Sequence, residues 1–280
     1  MMMKCRPVAL GGLLGAFAHA MPAAAHGPLF SPAPETIWKG GTELTLGFHT
    51  EKATGISEHE REYQGVIEAE YGLAANWEAG IEIPYISRAL KDGGDAGGIG
   101  DLILRTKYQL WRRDLPGAQY KITALLKLKL PTGDDDSRPR LGSGSTDITT
   151  GLVSGYESRR WYWFASAVYR ANTRGSGGLE KGDRQFLNLV GGIRPFLTEY
   201  RKPDTVLMLE LNWERAGRDR RAGAMVPNTG GWEMFLSPVV WWTCRQLAVR
   251  GGAQIRVEKS LKGIQPASGV RGRLEVVYHF

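Results

Sequence analysis

Residues 62–85 read EYQGVIEAEYGLAANWEAGIEIPY, and the period of this stretch decides the fold. Tyr63, Gly65, Ile67, Ala69, Tyr71 and Leu73 are apolar or small at every second position, with Glu62, Gln64, Glu68 and Glu70 between them. After Ala74-Ala75-Asn76 the alternation resumes: Trp77, Ala79, Ile81, Ile83 and Tyr85 on one face, Glu78 and Glu82 on the other. Successive side chains of a strand point to opposite faces, so this is a hairpin with one apolar and one acidic face; a helix would need a period near 3.6.

The same pattern runs outward in both directions. Leu102, Leu104, Thr106, Tyr108 and Leu110 alternate with Asp101, Arg105, Lys107 and Gln109, and Tyr120, Ile122, Ala124, Leu126, Leu128 and Leu130 alternate with Lys121, Lys127 and Lys129. Further strands are expected near residues 42–52, 146–157, 161–172, 184–196, 205–215, 231–243, 247–259 and 269–280, about twelve in all. Residues 161–172 and 231–243 are apolar on both faces, which leaves their register open.

Connection lengths carry a second signal. Those near Ala74, Asp114, Arg159, Glu199 and Arg245 are short, whereas residues 54–58, 91–98, 132–145, 174–183, 216–230 and 260–268 form longer links rich in glycine or charge. Short turns on one rim and long loops on the other is the layout of an outer-membrane barrel, with the short turns periplasmic. A β-sandwich requires no such alternation. The apolar faces also end in rings, among them Tyr63, Tyr71, Trp77, Tyr85, Tyr108, Tyr120, Tyr156, Trp161, Trp163, Tyr169, Trp213, Trp232, Trp242 and Tyr278, as a girdle at the headgroup level requires. The expectation is an all-β, transmembrane, antiparallel up-and-down β-barrel with both termini periplasmic and outer-membrane lipid around it.

Composition agrees once it is averaged over faces. With 42% hydrophobic and 23% charged residues in a chain of 280, no apolar run reaches the roughly 18 residues of a membrane helix. The formal charge of +7 is scattered rather than gathered on one face, which argues against nucleic acid. Lys4 and Arg6, the apolar residues 8–18 and the small residues Ala23-Ala24-Ala25 read as a signal peptide spanning residues 1–25 of a Gram-negative secretory protein. Residues 26–40, with Pro32 and Pro34, are expected as a periplasmic lead-in or a plug at the barrel mouth, and residues 41–280 as the barrel.

If the apolar faces meet lipid, the other faces line the lumen. Glu62, Glu68, Glu70, Glu78 and Glu82 make an acidic sector; Arg105, Lys107, Lys121, Lys127 and Lys129 make a basic one; Arg250, Arg256, Arg271 and Arg273 make another near the closure. These sectors either pair across the interior or line a solvated path.

Three segments carry a family resemblance: Gly98-Ile99-Gly100-Asp101-Leu102; Leu128-Lys129-Leu130-Pro131-Thr132-Gly133-Asp134; and Leu141-Gly142-Ser143-Gly144-Ser145-Thr146-Asp147. In this order they resemble the meta-pathway of phenol degradation, or transporter, family of outer-membrane β-barrels. The resemblance implies passage of small aromatic or other hydrophobic compounds. The last strand, Val270, Gly272, Leu274, Val276, Tyr278 and Phe280, likewise resembles the terminal strand of such barrels, where Phe280 would be read by the barrel-assembly machinery. Taken alone, the aspartates and glycines of the three segments suit tight turns. A porin-like channel is therefore expected, with a structural barrel whose lumen is closed by salt bridges as the alternative. No cofactor, catalytic set or metal centre is expected: no serine is paired with His49 or His279 in a recognisable motif, and His26 with the new amino terminus would supply only two donors to a metal.

Overall fold

The computed structural model describes residues 27–52, 59–90, 94–197 and 202–280, so the expected leader and His26 lie outside the described residues. Twelve long strands are present among them: β1 Thr42–Lys52, β2 His59–Ala74, β3 Trp77–Leu90, β4 Ile103–Leu115, β5 Ala118–Lys129, β6 Asp147–Ser158, β7 Trp161–Ala171, β8 Arg184–Ile193, β9 Asp204–Ala216, β10 Gly231–Cys244, β11 Leu247–Leu261 and β12 Arg271–His279. Each pairs antiparallel with its chain neighbours, and β1 pairs with β12, Glu43 opposite His279 and Glu51 opposite Arg271. The sheet thus closes on itself, leaving no long unpaired edge. Four of the connections, β2–β3, β4–β5, β6–β7 and β10–β11, are two residues long. Both ends of the barrel meet on this short-turn rim, where the Phe280 N–H donates to the Thr42 carbonyl at 2.9 Å.

Two local departures from simple alternation have physical causes. The loop expected at residues 91–98 holds a short strand, Asp95–Ile99, so β3 pairs with β4 through Trp77–Glu82 and with that short strand through Tyr85–Ala89. In β4 a register shift between Gln109 and Trp111 inserts one extra residue, and Leu110 and Trp111 both reach the outside.

The outer surface is apolar around the barrel: Leu46, Ile67, Leu104, Leu126, Leu152, Leu189, Leu209, Val240, Ile255 and Leu274 are all exposed. In water this belt would forfeit about 25 cal/mol for each Å² left uncovered. Rings gather near the short-turn rim, where Tyr120 and Tyr156 lie 4.6 Å apart and Trp163 adjoins both. A membrane supplies the solvent that this surface needs, and no helix among the described residues is long and apolar enough to cross one.

The interior is divided. The inward faces of β1–β5 are dominated by charge. Those of β7–β11 carry an apolar cluster, Tyr162, Phe164, Val190, Val206, Met208, Val239, Trp241 and Ala248, joined by Val277 of β12. Leu29 belongs to this cluster and Phe30 packs against it. These two residues precede the first strand.

Candidate functional site: the lumen and the segment inside it

Residues 27–38 form an arch within the barrel. Its two feet point to the short-turn rim, since a Cβ on Gly27 would meet Ala33 and approach Trp241 near the end of β10, while the Ile37 N–H donates to Glu78, the second residue of β3, at 2.7 Å. The crown lies near mid-barrel against Glu210 of β9. That carboxylate has no exposed surface and accepts three donors from the arch: the Leu29 N–H at 2.7 Å, the Phe30 N–H at 3.1 Å and the Ser31 hydroxyl at 2.6 Å. A chain without regular structure can be buried only if its amides and carbonyls find partners, and the barrel wall provides them. Thr123 donates to the Pro34 carbonyl, Lys107 to the Glu35 carbonyl at 2.7 Å and Arg273 to the Leu29 carbonyl at 3.0 Å, with the Arg273 guanidinium 5.2 Å from the Phe30 ring. At Gly155 the arch comes so close that a Cβ would stand 2.7 Å from Pro34.

Behind the crown runs a polar chain across the wall. Asn188 donates to Ser166 at 2.8 Å, Asn212 to Asn188 at 3.0 Å and to Ser31 at 2.9 Å, and Ser237 and Gln254 both donate to the Asn212 carbonyl oxygen, at 2.9 and 3.0 Å. Six strands are linked when Arg271 of β12 reaches Gln254 at 2.9 Å. Such a chain holds the crown at one depth, because every member has its partner.

The charged residues singled out in the sequence are distributed along the wall as ion pairs between nearby strands. Arg105 bridges Glu68 at 2.5 Å and Glu70; Lys107 meets Glu78 at 2.8 Å; Arg88 meets Glu62 at 2.7 Å; Lys127 meets Glu82 at 3.8 Å. Lys121 stands 3.6 Å from both Glu157 and Glu35, the latter on the arch. Near the closure Arg250 meets Glu275, Arg256 meets Glu233 at 3.3 Å and Arg271 meets Glu214 at 2.8 Å. Pairing therefore runs around the wall rather than across the bore. A cavity of about 1150 Å³ remains around the arch, lined from Arg112 and Arg159 at the short-turn rim to Arg170 and Phe186 beyond the crown.

The glycine-aspartate segments meet at the opposite rim. Asp101 accepts the Gly133 N–H at 3.1 Å, the Ser143 N–H at 2.9 Å and the Ser143 hydroxyl at 2.5 Å. Lys129 lies 3.6 Å from Asp101 and also pairs with Asp147, which accepts the Ser145 hydroxyl at 3.0 Å. Thr132 accepts the Leu102 N–H at 2.8 Å, and Asp134 caps its own turn by accepting the N–H groups of Asp136 and Ser137, each at 3.0 Å. Gly133 and Gly142 touch backbone to backbone, Gly98 lies under Leu141, Gly100 is enclosed by Ile86 and Pro84, and Gly144 takes a φ of +63°. Pro131 is exposed where β5 gives way to the loop, and the Thr146 carbonyl accepts the Thr173 hydroxyl at 2.8 Å. These residues tie the loop between β5 and β6 down to the start of β4.

His49 and His279 lie far apart along the seam, opposite Arg273 and Glu43 respectively; His49 lies 3.3 Å from Glu275 and His279 3.1 Å from Glu43. No group of three or more His, Cys, Asp or Glu suited to a metal occurs among the described residues. The arch contacts to Glu210, Thr123 and Arg273 had no signal in the periodicity. The apolar inward faces of β7 and β10 were the trace they left.

Comparison with known proteins places this geometry in a family. No curated protein matches the sequence. Among solved structures, an outer membrane channel from Pseudomonas putida F1 superposes with a TM-score of 0.70 at 14% identity, covering 90% of this chain and 100% of that one. The β domain of the Bordetella autotransporter BrkA gives a TM-score of 0.48 at 13% identity, over 86% of this chain and 100% of that one. The family described by the MetA-pathway of phenol degradation matches residues 39–206, which hold the first eight strands and all three glycine-aspartate segments. With most of its length matched, this outer-membrane β-barrel belongs to the family of the MetA-pathway of phenol degradation.

Proposed function

We propose that the barrel is an outer-membrane channel for small aromatic or other hydrophobic compounds, held closed by residues 27–38. The observation that carries this reading is the arch itself: a polypeptide stopper in a bore whose one wall is charged and whose other wall is apolar. A barrel that only filled its lumen for stability would need side chains alone. Here the filling belongs to a segment outside the sheet that leads into β1. The matched family is described by an aromatic catabolic pathway, and the Pseudomonas relative is described as a channel; both agree with the reading. The short-turn rim is then periplasmic, residues 26–40 enter from that side, and Phe280 at the seam is presented to the assembly machinery.

Single-channel recording in planar bilayers tests it. The full chain should give small or rare currents, and a variant with Leu29, Phe30 and Ser31 replaced by glycine should give larger, longer openings. The paired wall favours the rival reading of a sealed structural barrel. Absence of current in both proteins, together with no uptake defect on deletion of the gene, would establish that rival.

A further inference from the structure

Arg170 of β7 and Arg184 of β8 stand directly opposite one another in the ladder, side chains inward, beyond the crown of the arch. Like charges placed so are destabilising unless something offsets them. Elsewhere on the inward wall the cations are matched: Arg88, Arg105, Arg250, Arg256 and Arg271 each meet a carboxylate, and Arg273 holds the Leu29 carbonyl. Among the described residues neither Arg170 nor Arg184 has a carboxylate within 4.0 Å. The nearby acids are engaged, Asp147 by Lys129 and Glu214 by Arg271. What the two guanidiniums share is one ring. Their Cζ atoms lie 5.7 and 5.8 Å from the centroid of Phe186, and Arg170 adds only a 3.3 Å contact from Nε to the Thr149 hydroxyl.

Two planar forks with unused N–H donors, side by side, match the paired oxygens of a carboxylate or a phosphate. Phe186 and Val168, the next inward residues on the two strands, supply an apolar surface beside them, and both line the same cavity as Arg170. A strongly hydrated inorganic anion gains nothing from that surface, whereas an anion with a ring gains from both. We infer that Arg170 and Arg184 form a binding station for small aromatic carboxylates inside the barrel. The inference rests on the channel reading and narrows its cargo to compounds that are apolar over most of their surface and carry one negative charge.

Equilibrium dialysis of the full chain in detergent, with labelled benzoate and benzyl alcohol as probes, tests this. Benzoate should bind saturably, and the double variant Arg170→Gln with Arg184→Gln should weaken it at least tenfold, while benzyl alcohol, with the same ring and no charge, is held equally by both proteins. The double variant Arg170→Lys with Arg184→Lys keeps the charge and loses the forks, so its affinity should fall between the two. Heat-modifiable migration on gels confirms that each variant is folded. Equal benzoate affinity in wild type and the glutamine variant would overturn the inference, as would displacement of benzoate by inorganic phosphate at equal concentration. Neither result touches the planar-bilayer currents on which the channel reading depends.

Discussion

In the closed channel proposed above, Glu210 is the side chain that accepts three hydrogen bonds from the arch. Its three donors all come from the arch, and no cation pairs with it among the described residues. When the arch leaves, a carboxylate with no exposed surface is stripped of its partners, and water must follow into the lumen to satisfy it. Glu210→Gln keeps the shape and removes the charge, weakening charge-assisted bonds to neutral ones. The closed state should lose about 2 kcal/mol, roughly a thirtyfold shift toward open that single-channel open probability would read; an unchanged open probability would remove Glu210 from this role. Asp101 plays a comparable part at the opposite rim. Replacing it with alanine leaves the Gly133 and Ser143 amides without their acceptor, so protease should nick residues 130–146 of the detergent-solubilised barrel much faster while the barrel stays folded. Cleavage at the wild-type rate would show that the loop is held by other contacts.

At the scale of elements, the arch explains what the periodicity left open. β7 and β10 look apolar on both faces because each meets two apolar partners, lipid outside and the arch inside: Tyr162 and Phe164 point inward as Trp161 and Trp163 point outward. Alternation reveals a strand only when its two faces have different solvents, which holds for β2–β5 and fails here. The strand count, closure and most of the turn asymmetry were legible because each is repeated around the barrel; the exception is the link near Glu199, expected to be short, which runs from residue 194 to residue 203. The arch is a single, proline-interrupted segment whose partners are dispersed from Glu78 to Arg273, and no local pattern encodes such contacts. Its cooperativity is testable by hydrogen exchange: the Leu29, Phe30 and Ile37 amides should exchange together, and faster than the amides of β9 and β10. Protection equal to that of the strands would mean that the arch never leaves without unfolding the barrel. Gly155→Val should accelerate exchange at these three sites, since its side chain would press on Pro34.

The whole molecule is a sheet between three environments. Its mean hydropathy of −0.28 averages a lipid-facing belt, a wall of ion pairs and polar loops, so it cannot distinguish a soluble protein from this one. Transferring that belt to water would expose every large aliphatic residue of the outer face at once, which predicts a protein that stays in detergent micelles. It should migrate differently on gels before and after heating and give a strongly β circular dichroism spectrum; a water-soluble monomer would contradict the fold. Charge pairing runs around the wall, so in the proposed opening the arch would leave the barrel's own salt bridges intact and give up only its Glu35 ion pair with Lys121.

Residues 40–41 deserve a mechanical reading. The Gly40 N–H donates to the Gly72 carbonyl at 2.8 Å and the Gly72 N–H to the Gly41 carbonyl at 3.0 Å, while Gly40 turns the chain at a φ of +81°. The arch is thus riveted to β2 at one foot. In the proposed opening this foot would serve as a pivot, about which the arch would swing rather than diffuse away. Fully extended, twelve residues span on the order of 40 Å. In the proposed opening, residues 27–38 alone would then reach that far below the short-turn rim, within the grasp of anything stationed there, and pulling on them would be a way to keep the channel from shutting.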